Sequence, residues 1–263
     1  MVQLKAFPRL GTLFQGTGRT RLSCLAAALL LAGVSGCGKN EGDYFPLDPG
    51  YSWTYRQVLQ TRNKGNAGAF EKNTFVVVET NLRSEALGNE RAVPRLFNDG
   101  GTLYFAKATD GVALVARRAE DQDQPVPIAP RTILKRPLAV GDSWTETGET
   151  QILRRTILGS FGQFTKSISA DGPLAYKVES LDDSVRVKAG TFHHCIRLHG
   201  TGNAKLDWAD SGVLAIAIDT VEWYAPGVGL VKRIRKEDTG ADGPLGADMT
   251  EELESITRPG WLG

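Results

Sequence analysis

The amino-acid sequence predicts an all-β domain: a curved antiparallel sheet, as a half-barrel or a sandwich, built from two related β units and preceded by a helical signal peptide. Three observations carry this expectation. The 30 glycines and 12 prolines among 263 residues suit many strands joined by turns better than long helices. Past residue 43 no segment sustains the 3.6-residue apolar period of an amphipathic helix. Two short motifs also recur in the same order, which is the mark of a duplicated unit.

The N-terminal part comes first. Residues 1 to 21 hold Lys5, Arg9, Arg19 and Arg21 and no acid, and residues 22 to 34 (LSCLAAALLLAGV) form an apolar run. A basic flank followed by about a dozen apolar residues reads as a secretory signal, too short to cross a ~30 Å hydrocarbon core as a helix. Val34-Ser35-Gly36-Cys37 follows at once. This resembles the lipobox of bacterial lipoproteins, which implies cleavage after Gly36, lipidation of Cys37, and attachment through acyl chains at ~0.8 kcal/mol per buried methylene. In that family the next residue influences sorting, and Gly38 lacks an aspartate resembling an inner-membrane retention signal, so the resemblance implies the outer membrane, facing the periplasm. The composition of 38 to 43, GKNEGD, suits a short tether. The expected organisation is therefore 1–36 signal peptide, 37–44 lipid attachment and tether, 45–135 first β unit and 136–263 second β unit, the two forming one compact domain.

The repeated opening is Pro46-Leu47-Asp48-Pro49-Gly50-Tyr51-Ser52-Trp53-Thr54, matched by Pro137-Leu138-Ala139-Val140-Gly141-Asp142-Ser143-Trp144-Thr145. In each, proline fixes φ and glycine permits an unusual turn before a strand begins. Tyr51, Trp53 and Tyr55 alternate with polar residues, which gives one aromatic face to bury. The repeated close is Gly111-Val112-Ala113-Leu114-Val115-Ala116-Arg117, matched by Gly227-Val228-Gly229-Leu230-Val231-Lys232-Arg233, each preceded by an aromatic pair, Tyr104-Phe105 and Trp223-Tyr224. Ala225-Pro226-Gly227 reads as a hairpin turn. Further strands are expected at 75–79, 152–158, 176–180, 185–188 and 213–218, and long loops at 61–73, 118–131 and 236–248. Trp53, Trp144 and Trp223 read as core residues.

Charge excludes one class of partner. Removing the four N-terminal cations leaves 31 − 4 = 27 basic residues against 30 acidic ones, with no basic excess for a nucleic acid. With Cys24 in the signal and Cys37 lipidated, Cys195 is the only thiol left and no internal disulfide is expected. All three histidines, His193, His194 and His199, lie beside it. Plain strand alternation would put His193, Cys195 and His199 on one face, and Phe192, His194, Ile196 and Leu198 on the other. The spacing matches no metal signature, so neither a metal site nor a cofactor is expected, and the thiol reads as a small buried hydrophobe.

The P-L-x-x-G-x-x-W opening, Val187-Lys188-Ala189-Gly190-Thr191-Phe192 with Cys195 near it, and Trp223-Tyr224-Ala225-Pro226-Gly227-Val228-Gly229-Leu230-Val231-Lys232 resemble uncharacterised bacterial envelope lipoproteins. That resemblance implies a curved sheet of the lipoprotein-carrier type, with a concave apolar face as a ligand site. Three functions are weighed. The first is a noncatalytic binding or structural role in the envelope, with a protein, cell-wall component or surface polymer as partner. The second is a carrier of a hydrophobic, lipid-like ligand. The third is a thiol- or metal-dependent enzyme using Cys195 and His193. Enzyme activity is the weakest, because no G-x-S-x-G elbow, H-E-x-x-H helix or phosphate loop occurs past Cys37, and no catalytic residue is assigned. Asp182-Asp183 and the Asp207, Asp210 pair read as turn and loop residues rather than an acid/base pair.

Overall fold

Strands whose side chains alternate between buried and exposed, as along β11, make up most of this computed structural model, which describes residues 43–63, 70–152, 170–207, 213–240 and 245–260. Cys24, Gly36 and Cys37, and with them the expected signal peptide and tether up to residue 42, lie outside the described residues. Thirteen strands are described: β1 (Ser52–Asn63), β2 (Phe70–Asn81), β3 (Glu85–Leu87), β4 (Glu90–Phe97), β5 (Thr102–Ala108), β6 (Gly111–Arg118), β7 (Val126–Lys135), β8 (Ser143–Glu149), β9 (Asp171–Val187), β10 (Gly190–Asp207), β11 (Val213–Ala225), β12 (Gly229–Asp238) and β13 (Leu245–Thr257).

All ladders are antiparallel and join one sheet in the order β7-β6-β5-β4-β2-β1-β13-β12-β11-β10-β9-β8, with β3 a side branch on β4. The sheet curls almost into a barrel. Its two outer strands, β7 and β8, meet through side chains: Arg131 donates to the Thr147 carbonyl at 3.1 Å and to Glu149 at 3.2 Å, and Arg117 of neighbouring β6 also binds Glu149 at 3.2 Å. The all-β, curved antiparallel expectation holds in the half-barrel form.

Each half of this order follows the chain, β1, β2 and β4 to β7 on one side, with β3 off the path, and β8 to β13 on the other, and the two join through β1 and β13. The repeated openings run into β1 and β8, and the repeated closes fall on β6 and β12. The aromatic pairs stand on β5 and β11, and in both the register slips between the two aromatics, Tyr104/Phe105 and Trp223/Tyr224. Gly50 (φ 88°) and Gly141 (φ 95°) make the opening turns in the left-handed region.

Three loop expectations are corrected. β1 runs to Asn63 and β2 begins at Phe70, β7 begins at Val126, and β12 and β13 extend to Asp238 and from Leu245. The ends of β1 and β12 turn Thr61 and Glu237 inward, so the apolar alternation that marks a strand is missing there. Of the strand expected at 152–158, only Ile152 is described, buried and outside any strand.

The concave face has three layers. At the end where β1 begins, Trp53, Tyr55, Phe105, Val178, Leu198, Tyr224, Val231 and Leu253 share an apolar cluster with Phe45 and Leu47. At the other end Leu59, Leu174, Ala204, Ile216, Ile218, Ala247 and Met249 form a second. Between them the inward positions are polar.

Candidate functional site

The middle layer is a row of polar side chains on four adjacent strands, three of them charged. Gln57 pairs with Glu251, Glu251 with Arg233, and Arg233 with Glu222 in direct cross-strand register, on β1, β13, β12 and β11. Each is an inward position, so the sheet delivers the four side chains to one level of the interior. Gln57 Nε2 donates to Glu251 Oε1 at 2.5 Å, Arg233 Nη1 to Glu251 Oε2 at 3.1 Å, and Arg233 Nε to Glu222 Oε1 at 3.2 Å. Tyr224 donates its hydroxyl to Glu222 Oε2 at 2.6 Å. Burial lowers the affinity of the Arg233 guanidinium for its proton, but the two carboxylates reverse this and hold it well above the usual arginine range. Burial also pushes the Tyr224 and Tyr176 hydroxyls up.

One step along the barrel, Arg235 donates from Nε to Glu237 Oε1 at 2.7 Å, and both are fully buried. Glu237 accepts the backbone N–H groups of Gln151 and Ile152 at 2.7 and 3.1 Å, and Arg235 reaches the Glu149 carbonyl at 2.6 Å. This pair holds the chain leaving β8. Glycine makes room beside it: a Cβ on Gly200 would lie 2.8 Å from both the Tyr176 ring and Thr220 Cγ2.

At the opposite end Arg95 is the organising cation. Its guanidinium lies 4.4 Å from the ring centroids of Phe45 and Trp53 and 5.0 Å from that of Phe105. It also donates to Asn81 Oδ1 and to the Pro46 carbonyl, at 2.8 and 3.2 Å, and faces Glu79 at 3.5 Å. Burial pushes the Glu79 carboxyl up, and Arg95 opposes that rise. The interior is thus apolar only at its ends. The concave face implied by the carrier resemblance is apolar at its two ends, and Glu222, Arg233 and Glu251 cross its middle.

The histidine and cysteine segment is also rearranged. One extra residue on β10 between Phe192 and Cys195 breaks the ladder with β9, and His194 takes φ 56°. Strand alternation therefore fails there: Cys195 and Ile196 are both buried, whereas His193 and His194 are both exposed. The Cys195 thiol points to the Phe192 carbonyl at 3.6 Å, and burial, with the nearby Asp183 charge, pushes it up to about 11. His193 turns instead to the Ser184 hydroxyl at 2.9 Å, and His194 to Asp182 at 2.6 Å. The single face expected for His193, Cys195 and His199 does not form, and a thiol held in that protonated state is a poor nucleophile.

His199 sits on the outer surface between two carboxylates, Nδ1 3.1 Å from Glu179 and Nε2 2.9 Å from Asp219. The Asp219 hydrogen bond is the main reason its protonated form is favoured. Asp183 accepts from Arg197 at 2.9 Å and from the indole of Trp223 at 3.1 Å. Asp182 and Asp183 thus stand within β9, not in a turn; Asp207 ends β10, and Asp210 lies outside the described residues. Trp53 and Trp144 are core residues, at 1% and 7% exposure, whereas Trp223 is half-buried on the outer side. The buried row is faint in the sequence: on β12 Arg233, Arg235 and Glu237 alternate at a spacing of two, whereas Arg95, Glu222 and Glu251 each stand on a different strand with no local pattern to mark them.

No family model matches the chain. No curated protein matches it. Among solved structures, a candidate exported protein with a YmcC-like fold from Bacteroides fragilis is similar to it at 14% identity and a TM-score of 0.43, over 82% of this chain and 100% of the other. A candidate lipoprotein from Parabacteroides distasonis is similar at 13% identity and a TM-score of 0.38, over 82% of this chain and 99% of the other.

Proposed function

We propose that this chain is a lipid-anchored protein of the bacterial cell envelope with a noncatalytic binding or structural role, attached at the outer membrane and facing the periplasm. The observation that carries the reading is the apolar run at 22 to 34 ending in Val34-Ser35-Gly36-Cys37, an arrangement suited to export, cleavage after Gly36 and acylation of Cys37. A protein, cell-wall component or surface polymer is the partner class that this location offers. The charged middle layer favours this role over carriage of an acyl chain, since a hydrocarbon laid through the barrel would have to displace or strip the partners of Arg233 and Glu222. The buried Cys195 thiol, turned away from His193, favours it over thiol chemistry.

Feeding cells a traceable fatty acid tests the reading. Label should enter the wild-type chain and sediment with membranes, and Cys37→Ser should lose both label and sedimentation. Equal labelling and sedimentation of the two chains would overturn lipidation at this cysteine.

A further inference from the structure

The stretch that joins the anchor to the barrel does not hang free of it. Phe45 and Leu47 are buried in the apolar cluster where β1 begins. The Pro46 carbonyl accepts from Asn81 Nδ2 and Arg95 Nη2, at 3.0 and 3.2 Å, and Asn81 also donates to the Asp48 carbonyl at 3.2 Å. Asp43 is held by Arg136 at 2.5 Å and through its carbonyl by the Gly227 N–H at 2.8 Å. Tyr44 reaches the His194 carbonyl at 3.0 Å. These contacts bring five separate parts of the chain to one mouth of the barrel: the β11–β12 turn, the β10 bulge, the end of β2, the β7–β8 connection, and the β5–β6 turn through the Arg136 N–H to Asp110 bond.

From this strap we infer that the protein stands on the bilayer with that mouth toward the lipid headgroups and its opposite mouth directed away; the inference rests on acylation of Cys37. Six residue steps separate Cys37 from Asp43. In any conformation they reach at most ~20 Å. The 12 residues of β1 at a usual barrel tilt give the wall a height of ~30 Å. The strap would have to leave the core before the far mouth could touch the membrane. Exposed Leu82 and Val140 with Arg83, Lys107 and Arg258 fringe the near mouth, as suits an anionic headgroup layer. Asp48 and Asp110 stand there too, so the short tether, rather than charge, sets the orientation.

Energy transfer to lipid tests this on the full acylated protein in vesicles of phosphatidylethanolamine and phosphatidylglycerol carrying a headgroup acceptor. A donor is placed on Thr109→Cys at the near mouth or on Lys72→Cys toward the far one, both exposed positions. Transfer should be at least about twofold more efficient from position 109, given a wall of ~30 Å. Inserting 20 glycine and serine residues between Gly42 and Asp43 should abolish the difference. Equal or reversed efficiencies with the native tether, or a difference that survives the insertion, would overturn the inference. Failure of the protein to float with the vesicles is a separate result, which overturns acylation and the orientation with it.

Discussion

Arg233 on β12 stands directly opposite Glu251 on β13, its Nη1 3.1 Å from Glu251 Oε2, in the middle of the barrel rather than on its surface. The same guanidinium serves Glu222 on the other side, so one cation is shared by two carboxylates whose side chains are 3% and 6% exposed. Two buried anions left without their cation cost more than an exposed ion pair ever contributes.

Arg233→Met should therefore destabilise the chain by about 3–5 kcal/mol, while Lys188→Met, which ends an exposed pair with Glu254, should change stability by less than about 1 kcal/mol. Urea denaturation of both variants checks this. Similar midpoints for the two would show that the buried row is not structural.

The glycines of β10 give a graded test of packing. A Cβ at Gly200 meets the Tyr176 ring and a methyl of Thr220, which are able to move. At Gly202 it would lie 2.1 Å from the Pro173 carbonyl oxygen, which is backbone. Gly200→Ala should cost about 1–3 kcal/mol, and Gly202→Ala more, because the strand itself must shift. Thermal midpoints in the opposite order would contradict this account of the β9–β10 contact.

Much of this architecture was legible in the sequence, and the parts that were not share a cause. Trp53, Tyr55 and the Pro226-Gly227 turn announced themselves because apolar alternation and turn chemistry coincide there. The far ends of β1 and β12 read as loops because their inward residues Thr61 and Glu237 are polar. Alternation identifies a strand only when its buried face is apolar. The His193 to Cys195 segment misled for another reason: a single extra residue in β10 reverses the phase, and nothing in the local composition marks it.

Protonation of His199 should support folding. Its pKa is raised in the folded chain by the Asp219 hydrogen bond and further by Glu179, relative to ~6.5 when unfolded. The contribution is then complete below ~6.5 and is lost as pH rises through the higher folded value. Nuclear magnetic resonance titration should place the imidazole midpoint above that of a free histidine in the wild type, and lower in Asp219→Asn. An unshifted wild-type midpoint would contradict the geometry around the ring.

The Cys195 thiol should resist alkylation. It is buried and its pKa is pushed up to about 11, so the folded chain at pH 8 holds little thiolate. Iodoacetamide should modify it slowly until urea unfolds the barrel, after which reaction should run at the rate of an ordinary thiol. Prompt modification of the folded chain would place the sulfur at the surface.

The intact mass of the polypeptide extracted from its native membranes tests the central claim most directly. The account predicts a chain that begins at Cys37 and carries the added mass of its acyl groups. A chain retaining Met1 with an unmodified Cys37 would contradict it.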